Sequence, residues 1–434
     1  MICALTWLLL SNNLMGQERV YDLSNYKARY ELRPGMRLYG GSDFEGDYAR
    51  EQSAYQNFRL NSSVSWFMNR ITDDQISFWN MDSRMAFLIG DVSNSRFNQG
   101  DNRTVLSSRV SINSRRDNFY RTGKFWGWSS SARLTDYRSS QAEGYRYNTL
   151  FLNGRLYLGS GRIEFAEDAL LANWMLEDLQ TAGITSGYTA EDVEALALTI
   201  TDIIGNRVFD FRRRRIYELE QLQKTLLERG VTQEESFQLF AILNDNWVFA
   251  NRAILTHGNR FSYGLSTNAF SNIERRFDIE LTDRDLNLEL GGFAEYTRSR
   301  IVNDNGSASL SAGLQLDHYV RLSKENEEDT ENDREGWSSN LFLSYERTWL
   351  PNSRTEFSWV NTFSVNRILQ TNVGLDLSEF LNREQLSSRL EMDYFINYQW
   401  SFVARVGFNL QHERNADQLR FRPYFSFDTN YFFF

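Results

Sequence analysis

Cysteine is almost missing from this 434-residue chain, which has a single thiol at Cys3. Disulfides, cysteine-ligated metals and a cysteine nucleophile are excluded together once the segment holding Cys3 is removed, as argued below. Long apolar runs are missing too. No stretch reaches the roughly 18 apolar residues that a membrane-spanning helix needs. Lysine is confined to Lys27, Lys124, Lys224 and Lys324, so the basic residues are almost all arginine. Arginine's planar fork pairs bidentately with carboxylates, which suits charge networks on a wall better than a mobile solvated surface. The formal charge of −10 argues against nucleic acid as a partner.

The one apolar run, Ala4 to Leu10, reads as the core of a secretory signal. It predicts a signal peptide over 1–16 and a mature chain starting near Gln17; a buried N-terminal segment of a cytosolic protein is the competing reading. Because no apolar run ends at Cys3, lipoprotein acylation is not expected.

Past this segment, alternation with period two dominates. From Ser307 to Leu322 the even positions read Ala308, Leu310, Ala312, Leu314, Leu316, His318, Val320 and Leu322. The odd positions between them read Ser, Ser, Ser, Gly, Gln, Asp, Tyr and Arg, a separation that no helix produces. The same split recurs at Phe58 to Met68, Leu106 to Ile112, Leu150 to Leu158, Leu286 to Tyr296 and Leu390 to Ile396. Several of these segments are far longer than the usual strand of a soluble sandwich, about 5–6 residues. Such repetition is the signature of a transmembrane β-barrel, with apolar residues toward lipid and polar ones toward the lumen. Aromatics gather near segment ends, at Trp126, Trp128, Trp337, Trp349 and Trp400, where rings prefer the boundary between lipid and water.

Short breaks near 72–74, 121–123, 303–306, 350–353 and 398–401 interleave with longer polar ones, which predicts about 14 antiparallel strands (range 12–16) with both termini on the short-turn side. Between residues 159 and 260 the period changes to about 3.6 residues, the period of a helix. The domain plan is therefore a signal at 1–16, six strands over 17–159, a helical insert over 160–258 and eight strands over 259–434. Four helices are expected, over about 166–182, 189–204, 207–229 and 232–256. Gly183 and Gly230 stand where left-handed C-caps belong, and capping boxes at Thr189 with Asp192 and at Thr232 with Glu235 open two of the helices. The insert fills a slot where a periplasmic turn is due.

The final residues, Tyr424 to Phe434, resemble the C-terminal strand of bacterial outer-membrane proteins, porin-like barrels included. That resemblance implies an outer membrane of a Gram-negative bacterium, contact with lipid and lipopolysaccharide, and recognition of Tyr431, Phe433 and Phe434 by the barrel-assembly machinery. The apolar phase of the strand ends on Phe433, one residue off the family's pattern. The run Gly159, Gly161, Arg162, Glu164 and Asp168 leading into the insert, with Arg212 to Arg215 later, resembles helical inserts of Bacteroidota barrel proteins. It does not match a phosphate loop, because no Gly-Lys-Ser/Thr follows.

Inward parity falls on Arg59, Arg109, Arg133, Arg155, Arg321, Arg389 and Arg405, and on Glu289, Glu295, Asp317, Glu356, Glu391 and Asp393. Positive charge is denser in the first six strands and negative charge from the eighth onward. Two readings follow: a transverse field across a wet pore, or charges that neutralise one another and fill the interior. The acidic stretch Glu325 to Glu335 reads as a solvated outer loop, with divalent cations as the competing occupant.

No cofactor, metal-ligand cluster or catalytic set is expected from the three histidines, His257, His318 and His412. His412 with Asp417 imitates one Asp-His pair of an outer-membrane protease, without the second acidic pair. The expected function is a channel or transport barrel for polar or anionic solutes with the insert as a periplasmic gate or docking piece. The alternatives are a non-conducting scaffold that binds a periplasmic protein during export or assembly of surface material, and an outer-membrane hydrolase.

Overall fold

The computed structural model describes residues 20–47, 55–91, 102–121, 123–139, 145–205, 211–234, 236–247, 255–276, 281–302, 305–325, 334–370, 382–396, 400–413 and 418–432. The expected signal peptide, Phe433, Phe434, Asp417 and the middle of the acidic stretch lie outside these residues.

Six strands come first: β1 (Tyr30–Asp47), β2 (Tyr55–Ile71), β3 (Gln75–Asp91), β4 (Asn102–Arg121), β5 (Lys124–Ser139) and β6 (Tyr145–Phe165). Four helices follow: α1 (Glu167–Thr181), α2 (Ala190–Gly205), α3 (Phe211–Glu228) and α4 (Phe237–Trp247). The chain then returns to strands β7 (Thr256–Arg276), β8 (Leu281–Ile301), β9 (Gly306–Glu325) and β10 (Arg334–Asn352). It ends with β11 (Thr355–Gln370), β12 (Arg383–Phe395), β13 (Trp400–Glu413) and β14 (Gln418–Phe432). Every strand pairs antiparallel with its sequence neighbours, and β1 meets β14 through Tyr39 opposite Phe432 and Gly40 opposite Tyr431. The strand order closes into a ring, the arrangement by which a sheet crosses hydrocarbon.

The apolar phases expected at Leu150 to Leu158, Ser307 to Leu322 and Leu390 to Ile396 carry exposed leucines. Leu156, Leu265 and Leu290 stand outward and about two-thirds exposed, and the exposed apolar band continues through Leu106, Leu134, Leu316, Leu341, Leu390 and Phe425. A continuous belt of this kind belongs in lipid and not in water. The fold is a fourteen-stranded antiparallel transmembrane β-barrel with a four-helix insert between β6 and β7.

Two expectations about the insert need correction. The strands run further than expected: β6 continues to Phe165 and β7 starts at Thr256, with Phe165 opposite Thr256 and Glu164 opposite His257. The run Gly159 to Glu164 is therefore strand and not a turn, and helices occupy Glu167–Trp247 within the expected 160–258. Gly161 makes the extension feasible. Its φ is +84°, a Cβ there would stand 2.3 Å from the Asn259 carbonyl oxygen, and its N–H donates to the Gly123 carbonyl at 2.6 Å. The fourth helix does not open at Thr232 or reach Thr256. Ser236 caps it by accepting from the Leu239 N–H at 3.0 Å, while the buried Thr232 hydroxyl has no partner among the described residues. The box at Thr189 is formed: the Thr189 N–H donates to the Asp192 carboxylate at 2.9 Å and the Asp192 N–H donates to Thr189 Oγ1 at 3.4 Å. Gly183 and Gly230 take the left-handed conformation expected of C-caps, with φ of 73° and 70°.

The candidate site: a charged lumen and the mouth beside the insert

The insert sits at the end of the barrel that carries the short turns and the start of β1. Its core, which includes Leu170, Met175, Leu196, Ile200, Leu219 and Leu243, forms one cluster with Ile71 and Ile76 beside the β2–β3 turn and with Leu350 at the end of β10. In the strand ring, β3 and β10 lie on opposite sides. A bundle packed against both therefore spans the mouth. Asp245 of α4 adds an ion pair to Arg354 in the β10–β11 turn at 2.5 Å.

The segment before β1 crosses the same mouth. The Ala28 N–H donates to the Phe165 carbonyl of β6 at 3.3 Å, and the His257 ring on β7 bonds the Tyr26 carbonyl at 3.1 Å. The strap thus joins the ends of β6 and β7 to the start of β1. Tyr26 also ties the strap to α2, its hydroxyl lying 2.6 Å from Thr201 Oγ1 and donating to the Ala197 carbonyl at 3.1 Å. Burial pushes the Tyr26 phenol up, and the nearby Asp168 charge adds to it.

The wall, the strap and two helices converge on Asp168. Its Oδ2 accepts from Arg33 of β1 at 2.5 Å and from Thr201 of α2 at 2.5 Å, and both ion-pair side chains are about 2% exposed. Arg33 also lies 3.5 Å from Glu167 and its guanidinium covers the Tyr30 ring at 4.2 Å. Burial, then the adjacent Asp168 charge, pushes the Glu167 carboxyl up to about 8 against the pull of Arg33. A second network holds the strap. Arg29 forks onto Glu164 at 2.8 and 3.1 Å and reaches Asp73 at 2.6 Å, while Arg162 donates to the Thr72 and Asp73 carbonyls at 2.6 and 2.9 Å. Arg162, Glu164 and Asp168, singled out from the sequence leading into the insert, thus all belong to these two networks. Arg33, Arg29 and Tyr26 were not singled out, because nothing local marks them.

Above the mouth, inward side chains of β4 to β9 pack on one another. Asp117 of β4 is 1% exposed and accepts from Arg115 at 2.6 Å, from the Tyr157 hydroxyl at 2.8 Å and from Arg260 of β7 at 3.2 Å. Around it pack the rings of Phe119, Phe125, Tyr157 and Phe293, with the Arg260 guanidinium 4.8 Å from the Phe125 ring centre. One more chord belongs to this layer: Arg155 of β6 lies 3.6 Å from Glu295 of β8 and donates to Gln315 of β9 at 3.1 Å.

The remaining inward charges divide by height and side. Asp317 accepts from Ser266 and Gln315 at 3.1 and 2.8 Å, and Glu289 accepts from Asn268 and Asn287 at 2.8 and 2.9 Å. Glu391 takes Arg405 at 2.8 Å and Arg389 at 3.6 Å, and Arg321 reaches Asp285 at 3.2 Å. Glu356 stands directly opposite Asp393. Arg109 stands opposite Arg84, and Arg133 opposite Ser111. The Arg59 side chain lies outside the described residues, as do those of Arg212 to Arg214 and Tyr431. Among the described residues, ion pairs gather around Asp117 and Glu391, and arginines stand together on the β3–β5 wall.

His412 faces outward beside Glu384 at 3.7 Å, a carboxylate that also takes Arg367 at 2.6 Å. His318, in the outward phase as expected, lies 3.0 Å from Glu335 and edge-on to Trp337.

No protein-family model matches the chain, and no curated protein matches it. Among solved structures it is similar to the translocator domain of the autotransporter NalP from Neisseria meningitidis, at 8% identity over 99% of this chain and 92% of that one, with a TM-score of 0.28. It is similar to the beta domain of the Bordetella autotransporter Brka at 8% identity, over 93% and 99% of the two chains, with a TM-score of 0.30. For the Pseudomonas putida toluene transporter TodX the identity is 6%, the coverage 96% and 95%, and the TM-score 0.31.

Proposed function

We propose that the chain is an outer-membrane channel or transport barrel for polar or anionic solutes whose periplasmic mouth is held shut by the helical insert and the strap before β1. The observation that carries this reading is the Arg33–Asp168 pair, which fastens α1 to the barrel wall across the mouth. A barrel meant only as an anchor gains nothing from charged inward walls above a fastened stopper. The insert leaves β6 at the short-turn end, and in barrels of this type short turns face the periplasm. The chemistry is passage and not catalysis.

The test is ion conductance of the full chain in planar bilayers, compared with a variant in which residues 166–255 are replaced by a short turn. The strands reach Phe165 and Thr256, so the deletion must stop there. Conductance that is small in the full chain and large in the deletion supports the reading; no conductance from either form overturns it.

One observation favours a second reading, a scaffold that docks a periplasmic protein. Phe237 of α4 is 87% exposed, and Ile216 and Tyr217 of α3 are each more than half exposed. Single exposed rings are common, but three large apolar side chains on one small bundle are a feature of docking faces. Co-purification of a partner that is lost on Phe237→Ser with Tyr217→Ser supports docking.

A further inference from the structure

We infer that the β3–β6 wall of the lumen holds a binding site for an acidic saccharide, a polyhydroxylated ring bearing an anionic group. This deepens the reading of the barrel as a route for polar solutes and rests on it for the ligand's passage, though not for its binding.

Phe78, Asn80, Asn113, Ser129, Ser131 and Asn153 line a concavity of about 250 Å³ beside the packed layer around Asp117. A water's share of liquid volume is about 30 Å³, so the space suits a ring-sized molecule. Register sets the groups in rows: Asn80, Asn113, Ser131 and Asn153 are successive cross-strand partners, and Phe78, Arg115 and Ser129 form the adjacent row. Each amide and each hydroxyl both donates and accepts, which is the complement of vicinal sugar hydroxyls, themselves donors and acceptors. Asn80 Oδ1 and Arg115 Nε are buried and have no hydrogen-bond partner among the described residues. Polar atoms left so cost free energy unless something completes them. The Phe78 ring supplies an apolar surface for the C–H face of a sugar.

Charge completes the assignment. Arg133 is the next inward residue after Ser131 on β5, and Arg109 stands directly opposite Arg84. Like charges directly opposite one another destabilise a sheet. Among the described residues none of the three guanidiniums has a salt bridge, and Asp82, opposite Ser111, is the carboxylate nearest in register. Three cations against one anion beside a row of amides and hydroxyls favour an anionic sugar over a neutral sugar or a simple anion, since each of those uses half of the site. Arginine's fork is the group that grips a carboxylate bidentately.

The experiment is equilibrium binding by calorimetry to the full chain in detergent micelles, with glucuronate, glucose and acetate as probes. Glucuronate is expected to bind at least about tenfold more tightly than either of the others. Arg109→Gln with Arg133→Gln should weaken glucuronate roughly tenfold to a hundredfold and leave glucose unchanged. Asn113→Ala should weaken both sugars alike. Glucuronate no tighter than acetate or glucose overturns the site, and so does a preference untouched by the arginine pair. The comparison of probes on the unaltered chain needs no variant to fold. Binding requires no open pore, so binding without conductance sinks the channel reading alone, and conductance without binding sinks this one alone.

Discussion

Asp168 of α1 and Arg33 of β1 are joined at 2.5 Å across 135 residues of chain, and both are almost wholly out of contact with solvent. Taking one partner from a buried pair leaves the other charge stranded, at about 3–5 kcal/mol, whereas replacing both with apolar residues of similar size is often neutral. Asp168→Ala is therefore expected to undock the insert, read as faster proteolysis of the exposed turn after α3. Arg33→Met with Asp168→Leu should be less damaging than either single change. A double variant as labile as the worst single one counts against the pair as the fastening.

Glu167 makes that fastening sensitive to pH. Its ordinary carboxyl value of 4.5 is raised to about 8 in the folded chain, by burial first and by Asp168 second. The folded form then binds a proton that the undocked form releases, so the stabilisation is complete below about 4.5 and is lost as pH rises through about 8. Between pH 5 and 9 the insert should become easier to cleave, and Glu167→Gln should flatten that dependence at every pH tested. A wild-type chain whose cleavage does not differ from Glu167→Gln across the range refutes the linkage.

Much of this architecture is legible from residue alternation, and what is not has a physical reason. Leu156, Leu265 and Leu290 declare their outward face because lipid selects one parity over a whole strand. At the ends of β6 and β7 that rule lapses. There Arg162 and Glu164 meet the strap and the β2–β3 turn instead of lumen water, so the alternation blurs and Gly161 looks like a turn. Arg33 shows nothing locally, since its partner is set by the path of the insert across the mouth. The inward parity of Arg109 and Arg133 is readable, whereas which side chains stand beside them depends on register between strands.

Gly127 and Tyr157 make the packed layer around Asp117 depend on a missing side chain. A Cβ on Gly127 would stand 2.4 Å from the Tyr157 ring and 2.6 Å from the Arg116 carbonyl oxygen. Gly127→Ala is expected to destabilise the barrel by about 1–3 kcal/mol through overpacking. In a Tyr157→Ala background the cost should shrink without vanishing, because the backbone oxygen remains. Urea unfolding followed by loss of heat-modifiable migration measures the cycle, and strictly additive effects contradict the contact.

The sequence pattern points to Thr232 as the cap of the fourth helix, and the structure puts Ser236 in that role. The Ser236 hydroxyl accepts the Leu239 N–H, so Ser236→Ala should cost about 1 kcal/mol of insert stability. The Thr232 hydroxyl is buried without a hydrogen-bond partner among the described residues, and burial of an unpaired hydroxyl is unfavourable. Thr232→Val keeps the shape and removes the unpaired group, so it should be neutral or mildly stabilising. Denaturation of the docked insert in the two variants decides the matter. A loss at Thr232→Val equal to that at Ser236→Ala would return the start of α4 to the earlier residue and with it the longer helix that the sequence pattern predicts.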